Sequence, residues 1–339
     1  MKTRTKIGLL IGIFLLALGI TALKIAHHRG ESFEAGIANL SLGSSYRLDY
    51  DQKGYTVCDD GEESFSVNEI DALRIDWLSG AVSVERYDGK ELVVRERAAF
   101  KLEEDTCLRW KLSGGTLSIL PCANRVQNLH EKELTVLVPR SLTLESLDAG
   151  ATSASVHALG LEVSGEIRLA SLSGSLRAED CRCASLSLDS NSGSQHILRT
   201  EVRAQVNADA LSGSFTAEDL RCESLDVESS SGSQKITSLR CGELRLSSLS
   251  GSQRASGLDC REIESHSTSG SVQLAFSSAP GSVYVGATSG SVELTFPKGT
   301  GIDLDFDRTS GSLHGDVVRG SLPVDVETTS GSLTIRYSD

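Results

Sequence analysis

The stretch Leu225-Asp226-Val227-Glu228-Ser229-Ser230-Ser231-Gly232-Ser233-Gln234-Lys235-Ile236 decides how this chain folds. Apolar residues fall on alternate positions, at Leu225 and Val227 before the glycine and at Ile236 after it, with charged or hydroxyl residues between. A period of two is that of a strand with one buried face, and the 3.6-residue period of a helix does not fit. The Ser-Gly-Ser between the two alternating runs reads as a corner.

The corner returns along the chain. Its glycines are Gly174, Gly193, Gly213, Gly232, Gly251, Gly270, Gly290, Gly311 and Gly331, at gaps of 19, 20, 19, 19, 19, 20, 21 and 20 residues. Seven positions before it stand Ile167, Leu186, Val206, Leu225, Leu244, Ile263, Val283, Leu304 and Val324; three before it the residues are mostly Ser, Ala or Thr. Each unit therefore reads strand, corner, strand, second turn. One unit cannot bury its apolar face alone, but units stacked about 4.8 Å apart pile like residues into columns. The spacing predicts an all-β fold, a parallel β-solenoid of about 20 residues per coil. The glycine column is where positive φ or close backbone approach is needed, and the flanking serines can bond one another and the turn amides.

The register runs further back. Ala154 takes the place of the glycine, with Leu147 and Val156 in the flanking columns, and Ser79-Gly80 has Leu73, Ile75, Val82 and Val84 in the same places. Between them, Lys90 to Val138 interrupts the pattern with strand-like runs that start or cap the stack. The expected plan is a basic tail (1–6), a transmembrane anchor (7–26), a spacer (27–65), a first coil with an irregular strand-rich insertion (66–145) and the regular solenoid (146–339).

Ile7 to Leu23 carry no charge, and Lys24 can extend that run by snorkelling to the interface. Lys2, Arg4 and Lys6 precede it, so the positive-inside bias predicts a single-pass cell-membrane protein whose C-terminal region is extracytoplasmic. A cleaved signal peptide fits the same residues. Lys plus Arg number 33 against 46 Asp plus Glu, a net charge of −13, which argues against a nucleic-acid partner. With 32 Gly against 5 Pro, the glycine belongs to an ordered turn pattern and not to a disordered chain.

The candidate chemistry is sparse. Cys222, Cys241 and Cys260 lie 19 apart in one column, with Cys183 two coils below Cys222. They read as small buried hydrophobes, while the even total of eight in an extracytoplasmic chain invites disulfides, Cys107–Cys122 first among them. Gln234 and Gln253, with Gln195, occupy a column that elsewhere holds aliphatic or aromatic residues; stacked, they predict an amide ladder, or else a polar stripe for sugar or peptide. Glu179-Asp180 and Glu218-Asp219 recur at one turn without converging as a glycosidase pair would, and they read as a solvated face. Arg182, Arg221 and Arg240 form a short exposed basic stripe, ended by Asp259. His130, His157, His196, His266 and His314 are scattered, and neither a nucleophile elbow nor a metal-binding spacing is present. No cofactor and no enzymatic activity are expected.

The run Ile70-Asp71-Ala72-Leu73-Arg74-Ile75-Asp76, then Ser79-Gly80-Ala81-Val82-Ser83-Val84, Val136-Leu137-Val138-Pro139, Thr268-Ser269-Gly270-Ser271-Val272 and Thr288-Ser289-Gly290-Ser291-Val292 resembles the bacterial β-strand-repeat proteins catalogued as “putative adhesins”, a domain of unknown function. The resemblance spans roughly residues 65 to 339 and implies an envelope protein, often anchored by one helix, with no catalytic residues to carry over. The expected function is a non-enzymatic surface protein, adhesin-like or scaffolding, that presents a repetitive face to a cell-wall polymer, a glycan or an envelope protein. An accessory role in envelope-stress signalling is the alternative, and a polysaccharide-active enzyme fits less well. The last strand ends without a cap at Tyr337-Ser338-Asp339, so end-to-end self-association is also expected.

Overall fold

The computed structural model describes residues 51–338 other than 125 and 127–129. The basic tail, the anchor expected over 7–26 and most of the spacer lie outside the described residues. Among the described residues no helix is long and apolar enough to cross a membrane. The described residues are otherwise strand and turn, with a 3-10 turn at Val67–Glu69. It forms two compact units, one of residues 51–176 with Asp189–Asn191, the other of Arg177–Leu188 with 192–338.

In the first unit the strand Ala72–Tyr87 bends at Ser79-Gly80 and pairs in parallel with Ser146–Leu159. The register is the one the columns require: Leu73 beside Leu147, Gly80 beside Ala154, Val82 beside Val156. On its other side the interruption folds back into a coil of its own, since Thr116–Leu120 pairs with the first half of Ala72–Tyr87 and Lys132–Pro139 with the second. Glu91–Ala98 then runs antiparallel between Lys132–Pro139 and Glu62–Ser66, and Arg109–Ser113 runs antiparallel between Thr116–Leu120 and Thr56–Val57. The last residues of the stretch read as a spacer are thus part of the sheet. Their apolar periodicity is short because each contributes only a few rungs.

In the second unit the coils are regular. Gln234–Ser250 and Gln253–Ser269 each run from one corner, round the second turn, to the next corner, paired from Gln234↔Gln253 to Ser250↔Ser269. Leu225, Leu244, Ile263 and Val283 form one continuous buried column. Close approach governs the corner. A methyl group at Gly251 would lie 2.0 Å from the Gly232 carbonyl oxygen, although Gly251 itself does not need positive φ. Positive φ accompanies it at Gly80, Gly232, Gly290 and Gly311, and a second left-handed column sits at the second turn: Asp180, Arg199, Asp219, Ser238 and Gly257, each six after its corner glycine, have φ between 45° and 66°. Four of these five are not glycine, so composition conceals this column. In later coils the sixth place is aromatic, and Phe276, Phe296 and Tyr337 stack with ring centroids 4.9 and 6.3 Å apart.

The coils do not all stack in chain order, contrary to expectation. Val283 pairs with Val324 and Val292 with Leu333, while Leu304 and Leu313 pair with the opposite sides of Val324 and Leu333. The segment Leu322–Tyr337 is therefore sandwiched between Ser282–Phe296 and Ile302–His314. The side chains give the reason. Ile302–Ser310 carries Arg308 on the inner column where other coils have Ser, Ala or Thr, and Gly315 follows where other coils have an aliphatic residue or Ala. An inward guanidinium cannot be enclosed between two apolar layers without a partner, but on an outermost coil it stays exposed, stacked over the Phe306 ring at 4.9 Å. Leu322, Val324, Val326, Leu333 and Ile335, all buried, take the enclosed place.

Candidate functional site

The in-register strands of the second unit present one continuous outward face. One outward column reads Asp226, Arg245, Glu264, Tyr284, Asp325, Asp305 in spatial order, and its neighbour reads Glu228, Ser247, His266, Gly286, Glu327, Asp307. Charges alternate at the start: Arg245 Nη2 lies 2.5 Å from Glu243 Oε1, and its Nε lies 3.5 Å from Glu264 Oε2. His266 Nε2 is 2.7 Å from Glu264 Oε1, and the His266 ring is 5.3 Å from that of Tyr284. Gly286 makes room for this pair, because a methyl there would meet His266 Nδ1 at 3.1 Å and the Tyr284 hydroxyl at 3.3 Å. Burial, helped by Glu327, Asp325 and Glu264, pushes the Tyr284 phenol up to about 12, so it remains a hydrogen-bond donor. Burial also raises the Asp226 carboxyl, against the pull of Arg245. Beyond Tyr284 the face turns acidic, with Asp305 beside Asp325 and Asp307 beside Glu327. A half-buried ring framed by carboxylates, an imidazole and a guanidinium can stack on one face of a ligand and bond its hydroxyl rim.

The glutamines are not on that face. Gln195, Gln234 and Gln253 are buried and point inward. Gln234 and Gln253 are register partners, yet their amides do not bond each other. Gln234 Nε2 donates to Ser229 Oγ of its own coil (3.0 Å) and to the Ser247 carbonyl of the next (2.8 Å). Gln253 Nε2 donates likewise to the His266 carbonyl (2.9 Å) and Gln195 Nε2 to the Asp209 carbonyl (2.7 Å). Each amide is a staple between successive coils, and the ladder expected along the amides is replaced by bonds to main chain. Ser265, in an otherwise largely aliphatic column, donates to Gln253 Oε1 at 2.5 Å. The serines of the corner act similarly: Ser248 and Ser267 donate to the Gly251 and Gly270 carbonyls.

Cys107 and Cys122 are buried free thiols, so the bridge expected between them is not formed in this structure. Burial raises both, Cys122 to about 11. The two segments are tied instead by Lys132, whose ammonium donates to the carbonyls of Thr106 (2.6 Å) and Pro121 and to Glu96 Oε1 (2.5 Å). Glu96 Oε2 accepts from the Leu108 amide at 2.9 Å, and the Trp77 ring lies 5.0 Å from the ammonium. This buried pair, 1% and 0% exposed, was not singled out in the sequence, where Lys132 and Glu96 look like two more surface charges. Gly80 is its accomplice: any side chain there would strike the Lys132 main chain. A depression of about 480 Å³ lined by Gly80, Ala81, Arg97–Ala99 and Glu131–Glu133 opens beside it, but the Lys132 ammonium is already committed inward.

Several of the other candidates are paired. Arg199 bridges Glu179 and Asp180. Its hydrogen bonds, together with one from Arg177 that is foremost for Glu179, hold both carboxyls below their usual range. Two members of the basic stripe are paired across rungs, Arg182 with Glu201 at 3.5 Å and Arg240 with Asp259 at 3.2 Å. Burial lowers His196. Among the described residues no group of three or more His, Cys, Asp or Glu is arranged to hold a metal ion.

No curated protein matches the chain in sequence. Among solved structures, the chain is similar to one described as a “putative adhesin” from Parabacteroides merdae, at 10% identity and a TM-score of 0.40, over 85% of this chain and 97% of that one. A second, described as a “putative lipid binding protein” from Parabacteroides distasonis, has 13% identity and a TM-score of 0.37, over 85% and 98%. A third, described as a “putative cell adhesion protein” from Clostridium sporogenes, has 12% identity and a TM-score of 0.20, over 82% and 98%. Residues 200–336, the regular coils of the second unit, match the Toastrack DUF4097 family model.

Proposed function

We propose that this chain is a non-enzymatic cell-envelope surface protein, anchored through residues 7–26 with its coils outside the membrane, and that it works as an adhesin-like scaffold. The observation that carries this reading is the outward face of the second unit, where Asp226, Arg245, Glu264 and Tyr284 stand on successive rungs with His266 beside them. Such a face is fixed by main-chain ladders on both sides, so its side chains are preorganised and binding costs little ordering. The ligand class is an envelope polysaccharide: its hydroxyls suit the carboxylate, imidazole and guanidinium rim, and its sugar faces suit the Tyr284 ring. The full chain in detergent is tested against a panel of glycans and cell-wall fragments by biolayer interferometry. Binding that falls at least tenfold in Tyr284→Ala and Glu264→Gln supports the reading. No binding across the panel, or binding indifferent to both substitutions, defeats it.

A further inference from the structure

Cys222, Cys241 and Cys260 occupy the second turns of three successive coils. Cys241 and Cys260 are register partners, and Cys222 follows Arg221, the register partner of Arg240. Cys241 and Cys260 are 9% and 5% exposed, whereas Cys222 is half-buried. Parallel rungs lie about 4.8 Å apart, within the Cα range of about 4.4–6.8 Å that a disulfide spans. Side chains stacked directly on one another ordinarily run parallel and keep the rung spacing. Here the two sulfurs converge instead, to 2.8 Å. Little further movement brings them to the bonded separation of about 2.05 Å.

We propose that Cys241 and Cys260 are the two halves of a redox-controlled disulfide that staples neighbouring coils of the solenoid. The oxidant is a disulfide of the glutathione class or a protein disulfide. The thiolate of one cysteine attacks a donor sulfur, forms a mixed disulfide and releases the first donor thiol. The second cysteine then attacks its partner's sulfur, closes the bridge and releases the second donor thiol. Two protein thiols are oxidised, one donor disulfide is reduced, and the two thiol protons pass to the two donor thiolates. Hydrogen bonding to Cys260 and burial raise the Cys241 thiol, which slows its exchange in the folded column. The inference stands on these residues alone, whatever the outward face binds.

Trypsin separates the three thiols, because Arg221, Lys235, Arg240, Arg245, Arg254 and Arg261 place Cys222, Cys241 and Cys260 in different peptides. The full chain is refolded from urea in a reduced/oxidised glutathione buffer, quenched in acid, alkylated and digested without reduction. The expected result is a linked pair of peptides, 241–245 with 255–261, accounting for more than nine tenths of the 241–245 peptide, and the same pair in Cys222→Ser. Alkylated 241–245 and 255–261 peptides in a folded protein overturn the proposal, as does a bridge from Cys241 to Cys222. Cys260→Ser checks specificity: the proposal requires the yield of alkylated 241–245 peptide to rise at least tenfold, and no rise overturns it.

Discussion

Lys132→Met tests whether the first unit depends on its hidden charge pair. The substitution removes one ammonium and three hydrogen bonds, and strands the Glu96 carboxylate, 0% exposed, with the Leu108 amide still donating to it. Breaking a buried pair by deleting one partner costs about 3–5 kcal/mol, because the other charge keeps its desolvation penalty. In the double variant Lys132→Met/Glu96→Gln the stranded charge is gone and the amide oxygen still accepts from Leu108. Both variants leave the Thr106 and Pro121 carbonyls without this donor, so the double variant stays below the parent but is expected to be more stable than the single one by the penalty of the stranded charge. Both tryptophans, Trp77 and Trp110, lie in this unit, so the midpoint of urea unfolding read by tryptophan emission reports on it selectively. With a slope of about 1–3 kcal/mol per molar urea, the single variant moves the midpoint down by about 1–5 M. A single variant within about 1 kcal/mol of the parent, or a double variant no better than the single, refutes the reasoning.

Four further outcomes follow from the second unit. Gly251→Ala drives a methyl into the Gly232 carbonyl, and lowers stability by more than about 2 kcal/mol in thermal circular dichroism. Ser265→Val leaves Gln253 Oε1 without its donor and costs about 1–3 kcal/mol, which Ser265→Val/Gln253→Leu largely restores. Arg199→Gln is pH-dependent: Arg199 holds Glu179 and Asp180 below their ordinary values of 4.5 and 3.8, so its stabilisation is complete above those values and lost as pH falls through the lowered ones. The melting temperatures of parent and variant therefore differ at pH 7 and converge by about pH 2, and a difference unchanged between them contradicts the assignment. Arg308→Leu replaces the one inward charge of the outermost coil with an apolar side chain; multi-angle light scattering is expected to show more association with rising concentration than in the parent.

The columns were legible because an aliphatic pile needs the same residue type at every pass. Leu225, Leu244 and Ile263, and the corner glycines, therefore announce themselves at a spacing of 19. Even the displaced early coil could be read, since Leu73 and Val82 sit at the right distances from Gly80. What could not be read depends on which coil meets which. All units share one register, so nothing in the spacing says that Val283 lies beside Val324 and not beside Leu304. Arg308 and Gly315 held the clue, as residues an enclosed coil cannot accommodate. The left-handed column at Asp180, Arg199, Asp219 and Ser238 was hidden because the corner, not this turn, monopolises glycine. The glutamine column was legible as polar, but its direction was not: whether an amide reaches its neighbour or a carbonyl depends on main-chain placement. The outward cluster of Tyr284, His266 and Glu264 was not singled out, because each residue taken alone is an ordinary exposed side chain.

The skipped coil also shapes how this end of the molecule assembles. Residues 302–314 are synthesised before 322–337 but find their ladder partners only on that later segment. The place beside Ser282–Phe296 belongs to that later segment, which lies enclosed between two earlier ones. The molecule is thus finished like an arch, from inside its own last gap, and the tail of the polypeptide acts as its keystone.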